Sequence, residues 1–318
     1  MKKILFLILP IYILTGLLAE TQISADNSPQ QAVIWQGSNV YVTFKYNPKV
    51  DMHLVFGPCG VNNSFNLNSI YLTNNPYKIN PWITRKSRLF LKSTTDWLGP
   101  YMVKCLTKGD GSLPVFTGGW HGSNGNGTGV ATSKMIGMSV KVNGQAISKS
   151  KPYYGNVEVN IENVIQAYNT INSGVCVLKE AIKLSFTPKK VGVVVTTTAL
   201  EDVLLEKYYG LQVQSSSWRG QIQYSNGKAG TYGKYSDSGP ANKSIANSFT
   251  ISSPNGAYKL KAKMDREYGL GKFEYLSPER PSVFAESYGK VYFNLINGNS
   301  MKVLKGKSLG WKGHYEFL

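Results

Sequence analysis

Apolar and polar residues alternate with period two along most of this chain, a pattern that suits strands and leaves little room for helix. Residues 138–142 (Met-Ser-Val-Lys-Val), 157–161 (Val-Glu-Val-Asn-Ile) and 182–186 (Ile-Lys-Leu-Ser-Phe) are apolar at every second position. Successive strand side chains point to opposite faces, so each segment has one face for a core and one for water. Asn143-Gly144 follows the first of them and marks a tight hairpin turn. Residues 40–46 make a two-sided aromatic strand, and residues 191–198, β-branched almost throughout, suit a central one.

The second half continues alike, with strands expected over 211–214, 219–224, 248–252, 258–264, 290–296 and 310–317. Asn226-Gly227, Asn255-Gly256 and Asn297-Gly298 mark further turns. Only residues 161–168 and 201–208 have room for a short helix. No fixed-period repeat is visible, which argues against a propeller or β-helix. The expectation is an all-β fold, a large antiparallel β-sandwich of jelly-roll or supersandwich type, forming one domain over residues 26–318. Three segments interrupt the rhythm and are expected as long loops: 62–86, rich in Asn, Pro and Tyr; 117–129, rich in Gly and Asn; and 225–248.

Residues 1–25 read as a secretory signal peptide. Met1-Lys2-Lys3 gives a positive start, and the uncharged apolar run 4–19 is shorter than the roughly 20 residues of a membrane span. Cleavage after Ala25 or Ala19 fits, so a secreted protein, extracellular or in the cell envelope, without stable membrane insertion, is expected. Lys and Arg number 35 against 18 Asp and Glu, and removing residues 1–25 lowers the net charge only from +17 to +16. Such a field draws acidic polysaccharide or another anionic cell-surface polymer. Nucleic acid is not expected as a partner, because no recognition motif is present. The 20 Tyr and 6 Trp supply rings that stack on sugar faces, although strand propensity accounts for many of the tyrosines. Cys59, Cys105 and Cys176 allow one disulfide with a spare thiol, or three reduced thiols.

Four constellations carry candidate chemistry. Residues 115–127 place Trp120 and His121, one of three histidines, in a stretch too Gly-rich to build a core. There Trp120 offers a stacking face, His121 a proton carrier near neutral pH, and Asn124 and Asn126 donors for a carboxylate or hydroxyl; the competing reading is a flexible hairpin tip. On a strand at 206–214, Tyr209, Leu211 and Val213 share an apolar face and leave Tyr208, Gln212 and Gln214 on a polar one. Arg219, Gln221 and Gln223 form a similar polar face, together a floor suited to sugar or an ordinary solvated surface. Lys259, Lys261 and Lys263 align about 6–7 Å apart, either to follow a polyanion or to guard an edge strand. His314 sits on a closing strand, and His53, in an apolar stretch, reads as structural.

No Gly-x-Ser-x-Gly elbow, nucleotide-binding glycine fingerprint, His-Glu-x-x-His or Cys-x-x-Cys occurs, so neither a cofactor nor a metal is expected. A basic, Tyr-rich exported β protein with few acids suits β-elimination on a uronate polysaccharide. That reaction needs a group to neutralise the carboxylate, one base and one acid. His121 and Tyr208 are the expected catalytic pair. Trp120, Asn124, Asn126, Gln212, Arg219, Lys259, Lys261 and Lys263 are the expected substrate contacts. By residue type this resembles the β-sandwich polysaccharide lyases, without a motif of any lyase family. The rival expectation is a non-catalytic carbohydrate or cell-envelope binding protein, phage-derived among the options, that grips an anionic glycan.

Overall fold

The computed structural model describes residues 29–93, 95–214, 217, 218, 220–230 and 239–318. The expected leader, Arg219, Tyr232 and Tyr235 lie outside the described residues. The described chain is nearly all β, in three large and almost wholly antiparallel sheets. One sheet has six strands in the order Arg88–Lys92, Ser64–Asn74, Val50–Cys59, Asn39–Asn47, Gln31–Gln36 and Pro152–Tyr154.

A ten-stranded sheet runs Ala229–Gly230, Gln221–Tyr224, Ser248–Ser252, Lys259–Gly269, Ser308–Phe317, Lys190–Ala199, Cys176–Thr187, Val157–Gln166, Ser133–Val142 and Gln145–Ala146. A five-stranded sheet is built on Lys290–Val303 and Val203–Gln214, flanked by Tyr275–Leu276, Val283–Glu286 and Tyr101–Cys105.

The large sheet backs the two smaller ones, and the alternation read from the sequence decides which side chains meet. Val157–Gln166 alternates buried and half-buried residues over its whole length. Phe44 of the six-stranded sheet meets Phe317 of the large one at 5.4 Å, and Phe56 meets Phe186 at 5.3 Å. Phe249 of the large sheet meets Phe293 of the five-stranded one at 5.3 Å. Each such ring, fully withdrawn from water, contributes about 1.5–3 kcal/mol. Asn143 (φ 49°) and Gly144 (φ 81°) both adopt the left-handed backbone a two-residue hairpin turn requires, and Asn tolerates it where a branched side chain does not.

Two expectations change, and two open alternatives are decided. Both segments with room for a helix are mainly strand, within Val157–Gln166 and Val203–Gln214, and the first ends at a short 3-10 turn, Tyr168–Thr170. The segment 62–86 is not all loop: Ser64–Asn74 is an eleven-residue strand whose period is broken by a bulge opposite Val55 and Phe56. The lysine row is not on an edge, since Lys259–Gly269 pairs with Ser248–Ser252 on one side and Ser308–Phe317 on the other. All three cysteines are free thiols.

Candidate functional site

The hairpin that carries Trp120 and His121 is fastened from several sides. Asn62 donates to the carbonyls of Gly119 (2.9 Å) and His121 (2.8 Å) and accepts from the amides of Thr132 (2.7 Å) and Ser133 (3.1 Å). Trp120 lies between Gly60 and Gly127, where a Cβ on either glycine would overlap the indole. Asn124 donates to Thr128 Oγ1 and accepts the Asn126 amide, so its carboxamide closes the turn while both asparagines stand exposed.

Both nitrogens of the His121 ring are engaged. Nδ1 lies 2.7 Å from the Gly125 carbonyl and Nε2 lies 2.9 Å from Asp96 Oδ2. Both partners are acceptors, and with a ring nitrogen turned to each of them neither nitrogen faces solvent. Asp96 also accepts the Trp120 amide at 2.6 Å and stands 3.9 Å from the buried Lys290 ammonium. Burial pushes the Asp96 carboxyl up. The His121 hydrogen bond and charge, Lys290 and the Trp120 amide outweigh this and hold it below the ordinary carboxylate value.

Tyr208 and Gln212 are not on an exposed polar face. Register shifts around Lys207 to Gln212 turn Tyr208 inward and leave Tyr209 half-buried, the reverse of the strict alternation read from the sequence. Tyr208 is fully buried. Its hydroxyl accepts Trp311 Nε1–H at 2.7 Å and lies 3.0 Å from the Tyr101 hydroxyl, which donates to Glu180 at 2.7 Å. Burial raises the Tyr208 pKa, and the Glu180 charge adds to this. Burial raises Glu180 as well, against the hydrogen bonds from Tyr101 and Asn163. A cavity of about 20 Å³, the size of one water, separates this network from Asp96. Gln212 is fully buried too, with no hydrogen-bond partner for its amide group among the described residues. The structure therefore places the expected catalytic pair in two separate enclosed polar clusters and not in one open groove.

The accessible concavities lie elsewhere, on both sides of the segment 75–87. Asp51, buried beneath that segment, anchors it: Asn75 Nδ2 (2.6 Å) and the Asn80 amide (3.1 Å) donate to it, and Lys45 Nζ pairs with it at 2.8 Å. Thr43, His53 and Thr73 form a buried row under the same segment, with His53 Nδ1 2.8 Å from Thr43 Oγ1 and Nε2 2.9 Å from Thr73 Oγ1. Burial lowers the His53 pKa to about 4, against the pull of Asp51.

On one side opens a cleft of about 660 Å³, lined among others by Lys45, Tyr77, Lys78 and Lys189. Tyr77 is 80% exposed, and no carboxylate of the described residues lines the cleft. Asp51 offsets Lys45, whereas Lys78 and Lys189 have no acidic partner among the described residues; Lys189 Nζ sits 5.6 Å from the Tyr46 ring centre. On the other side a groove of about 290 Å³ presents Tyr41, Tyr71 and Trp82 with Gln36 and Ser69. Sequence reading missed the cleft lysines because they come from three distant segments. The legible signals were the Asn74-Asn75-Pro76-Tyr77-Lys78 run and the Pro188-Lys189-Lys190 turn. Among the described residues no group of three His, Cys, Asp or Glu side chains is placed to hold a metal ion.

Lys259, Lys261 and Lys263 project from the outer face of the ten-stranded sheet, while Leu260, Ala262 and Met264 are buried behind them. Their strand begins beside the cleft: the Lys259 amide donates to the Tyr46 hydroxyl at 3.2 Å.

No family model matches the chain. No curated protein matches it either. Among solved structures it is similar to a GH36 α-galactosidase from Geobacillus stearothermophilus, at TM-score 0.39 and 9% identity over 91% of this chain. It is also similar to a TPR-domain containing protein from Parabacteroides distasonis (0.35, 10%, 87% of this chain). A galactose mutarotase-like protein from Lactobacillus casei gives 0.32 and 10% over 87% of this chain and 100% of its own length. The match spans 40% of the α-galactosidase and 47% of the TPR-domain protein. At these scores the likenesses carry no argument about what the chain does.

Proposed function

We propose that this protein binds an acidic polysaccharide through the cleft and groove that flank residues 75–87, without cleaving it. The observation that carries the reading is the cleft itself: among the described residues it has two ammonium groups without acidic partners, an open tyrosine ring and no carboxylate in its wall. Ammonium groups take the carboxylates of a glycan, and aromatic rings take the apolar faces of its sugars. The groove beyond the segment offers three more rings with amide and hydroxyl partners. Concave, partly apolar surfaces with a few convergent polar groups are where small ligands seat.

The same residues disfavour β-elimination. That chemistry needs a base and an acid facing one substrate, whereas His121 has both nitrogens occupied and Tyr208 is buried.

Calorimetric titration with an acidic tetrasaccharide tests the reading. Binding is expected for the parent, and roughly tenfold or greater weakening for Lys78→Gln combined with Lys189→Gln, about two lost charge contacts. Trp82→Ala is expected to weaken it less. Unchanged affinity in the double variant, or no binding by the parent, would refute the cleft as the site.

A further inference from the structure

We infer that the cleft continues onto the outer face of the ten-stranded sheet as a cationic track, so that the ligand is an extended acidic polysaccharide and not a short oligosaccharide. This rests on the binding reading above and adds the form of the ligand.

The two surfaces meet at Tyr46. Its ring lies under Lys189 from the cleft, its hydroxyl accepts the Lys259 amide and donates to the Leu318 carbonyl oxygen, and the Leu318 amide donates to the Lys259 carbonyl. From there Lys259, Lys261 and Lys263 lead away along one strand, with amines about 7 Å apart for every second residue. Cross-strand register puts Glu316 beside Lys261, with Lys190 on the far side of Glu316, and His314 beside Lys263.

Charge is distributed unevenly over this face. On the neighbouring strands Lys179 pairs with Glu162 at 2.9 Å and Lys183 with Glu158 at 2.5 Å, so four charges there cancel in pairs, while Lys134 and Lys141 one strand further have no ion pair among the described residues. Among the described residues, Lys190, Lys259, Lys261, Lys263 and Lys312 have no ion pair; Glu316 faces them from a paired strand, and Asp265 and Glu267 follow Lys263 on its own strand, so the run of lysines ends at Lys263. Lys312 lies over the Tyr268 ring at 4.0 Å, keeping its charge at the surface. A strip in which lysines outnumber acids, in line with a cleft that holds two ammonium groups without ion pairs, fits a polymer that carries a carboxylate on every ring. The strand is interior to the sheet, so the lysines are not needed there to guard an edge.

The test is a chain-length series of oligogalacturonates, tetrasaccharide to dodecasaccharide, titrated into the parent and into Lys259→Gln/Lys261→Gln/Lys263→Gln at equal salt. Far-ultraviolet circular dichroism checks that the variant is folded. The parent is expected to bind the dodecasaccharide roughly tenfold or more tightly than the tetrasaccharide, since the track converts further contacts into intramolecular ones. In the variant that ratio is expected to fall to near one. A parent ratio near one, or a variant that keeps the gain, overturns the track while leaving the cleft standing. Length-dependent binding that survives Lys78→Gln/Lys189→Gln overturns the cleft but not the track. Absence of binding at every length overturns both. Single-stranded DNA of matched charge competing as well as the dodecasaccharide overturns the assignment to polysaccharide.

Discussion

His53 shows how a single buried residue ties this fold to pH. Its ring is held neutral between two threonine hydroxyls, and burial lowers its pKa to about 4 from an ordinary 6.5. The folded state therefore binds fewer protons than the unfolded chain between those values. The contribution of His53 is complete above about pH 6.5 and is lost as the pH falls towards 4, amounting to about 3 kcal/mol. Glu180 and Glu286, whose pKa values burial raises, act in the opposite sense over part of the same range. The contribution is thus read as a difference: between pH 7 and 4 the parent should lose about 3 kcal/mol more, by urea unfolding, than His53→Gln does. Parallel stability curves would show that the ring is not held neutral. The structural role of His53 was legible from its apolar neighbours Met52 and Leu54. That of His121 was not, because its partner Asp96 is 25 residues away and alternation says nothing about contacts between loops.

At the scale of elements, the hairpin around Trp120 looked in sequence like a mobile, ligand-ready loop, and in the structure it is fastened by buried polar groups. Asp96 is the central fastening, joining the His121 ring, the Trp120 amide and the Lys290 ammonium. Asp96→Asn removes one of the two carboxylates, with Glu286, that act on the buried Lys290, together with the charged partner of His121, and should destabilise the protein by about 3 kcal/mol in chemical unfolding. Adding Lys290→Met should recover part of that loss, because the uncompensated charge goes with it. A loss under about 1 kcal/mol would mean that this cluster holds nothing in place. Strand positions were legible wherever alternation was unbroken, as in Val157–Gln166 and Cys176–Thr187. They were not legible where bulges shift the period, and Ser64–Asn74 and the turn from Tyr208 to Tyr209 are the two cases that matter. In the second, one bulge moves a candidate catalytic hydroxyl from the surface into the core.

For the whole molecule, composition announced an excess of positive charge but not its location. Placement depends on long-range pairing: Lys45, Lys78 and Lys189 lie far apart in the chain and line one cleft, and Lys259 joins them through Tyr46. Elsewhere lysines are consumed by Glu158, Glu162 and Glu201. The most direct test of binding at this face is an NMR titration with an acidic tetrasaccharide, following assigned amide and lysine ammonium signals. The expected perturbations fall on Lys45, Tyr77, Lys78 and Lys189, with Trp120 to Asn126 unmoved. Perturbations centred on His121 and its hairpin, with ultraviolet absorbance growing as unsaturated sugar accumulates, would contradict the account and return the chemistry to the hairpin.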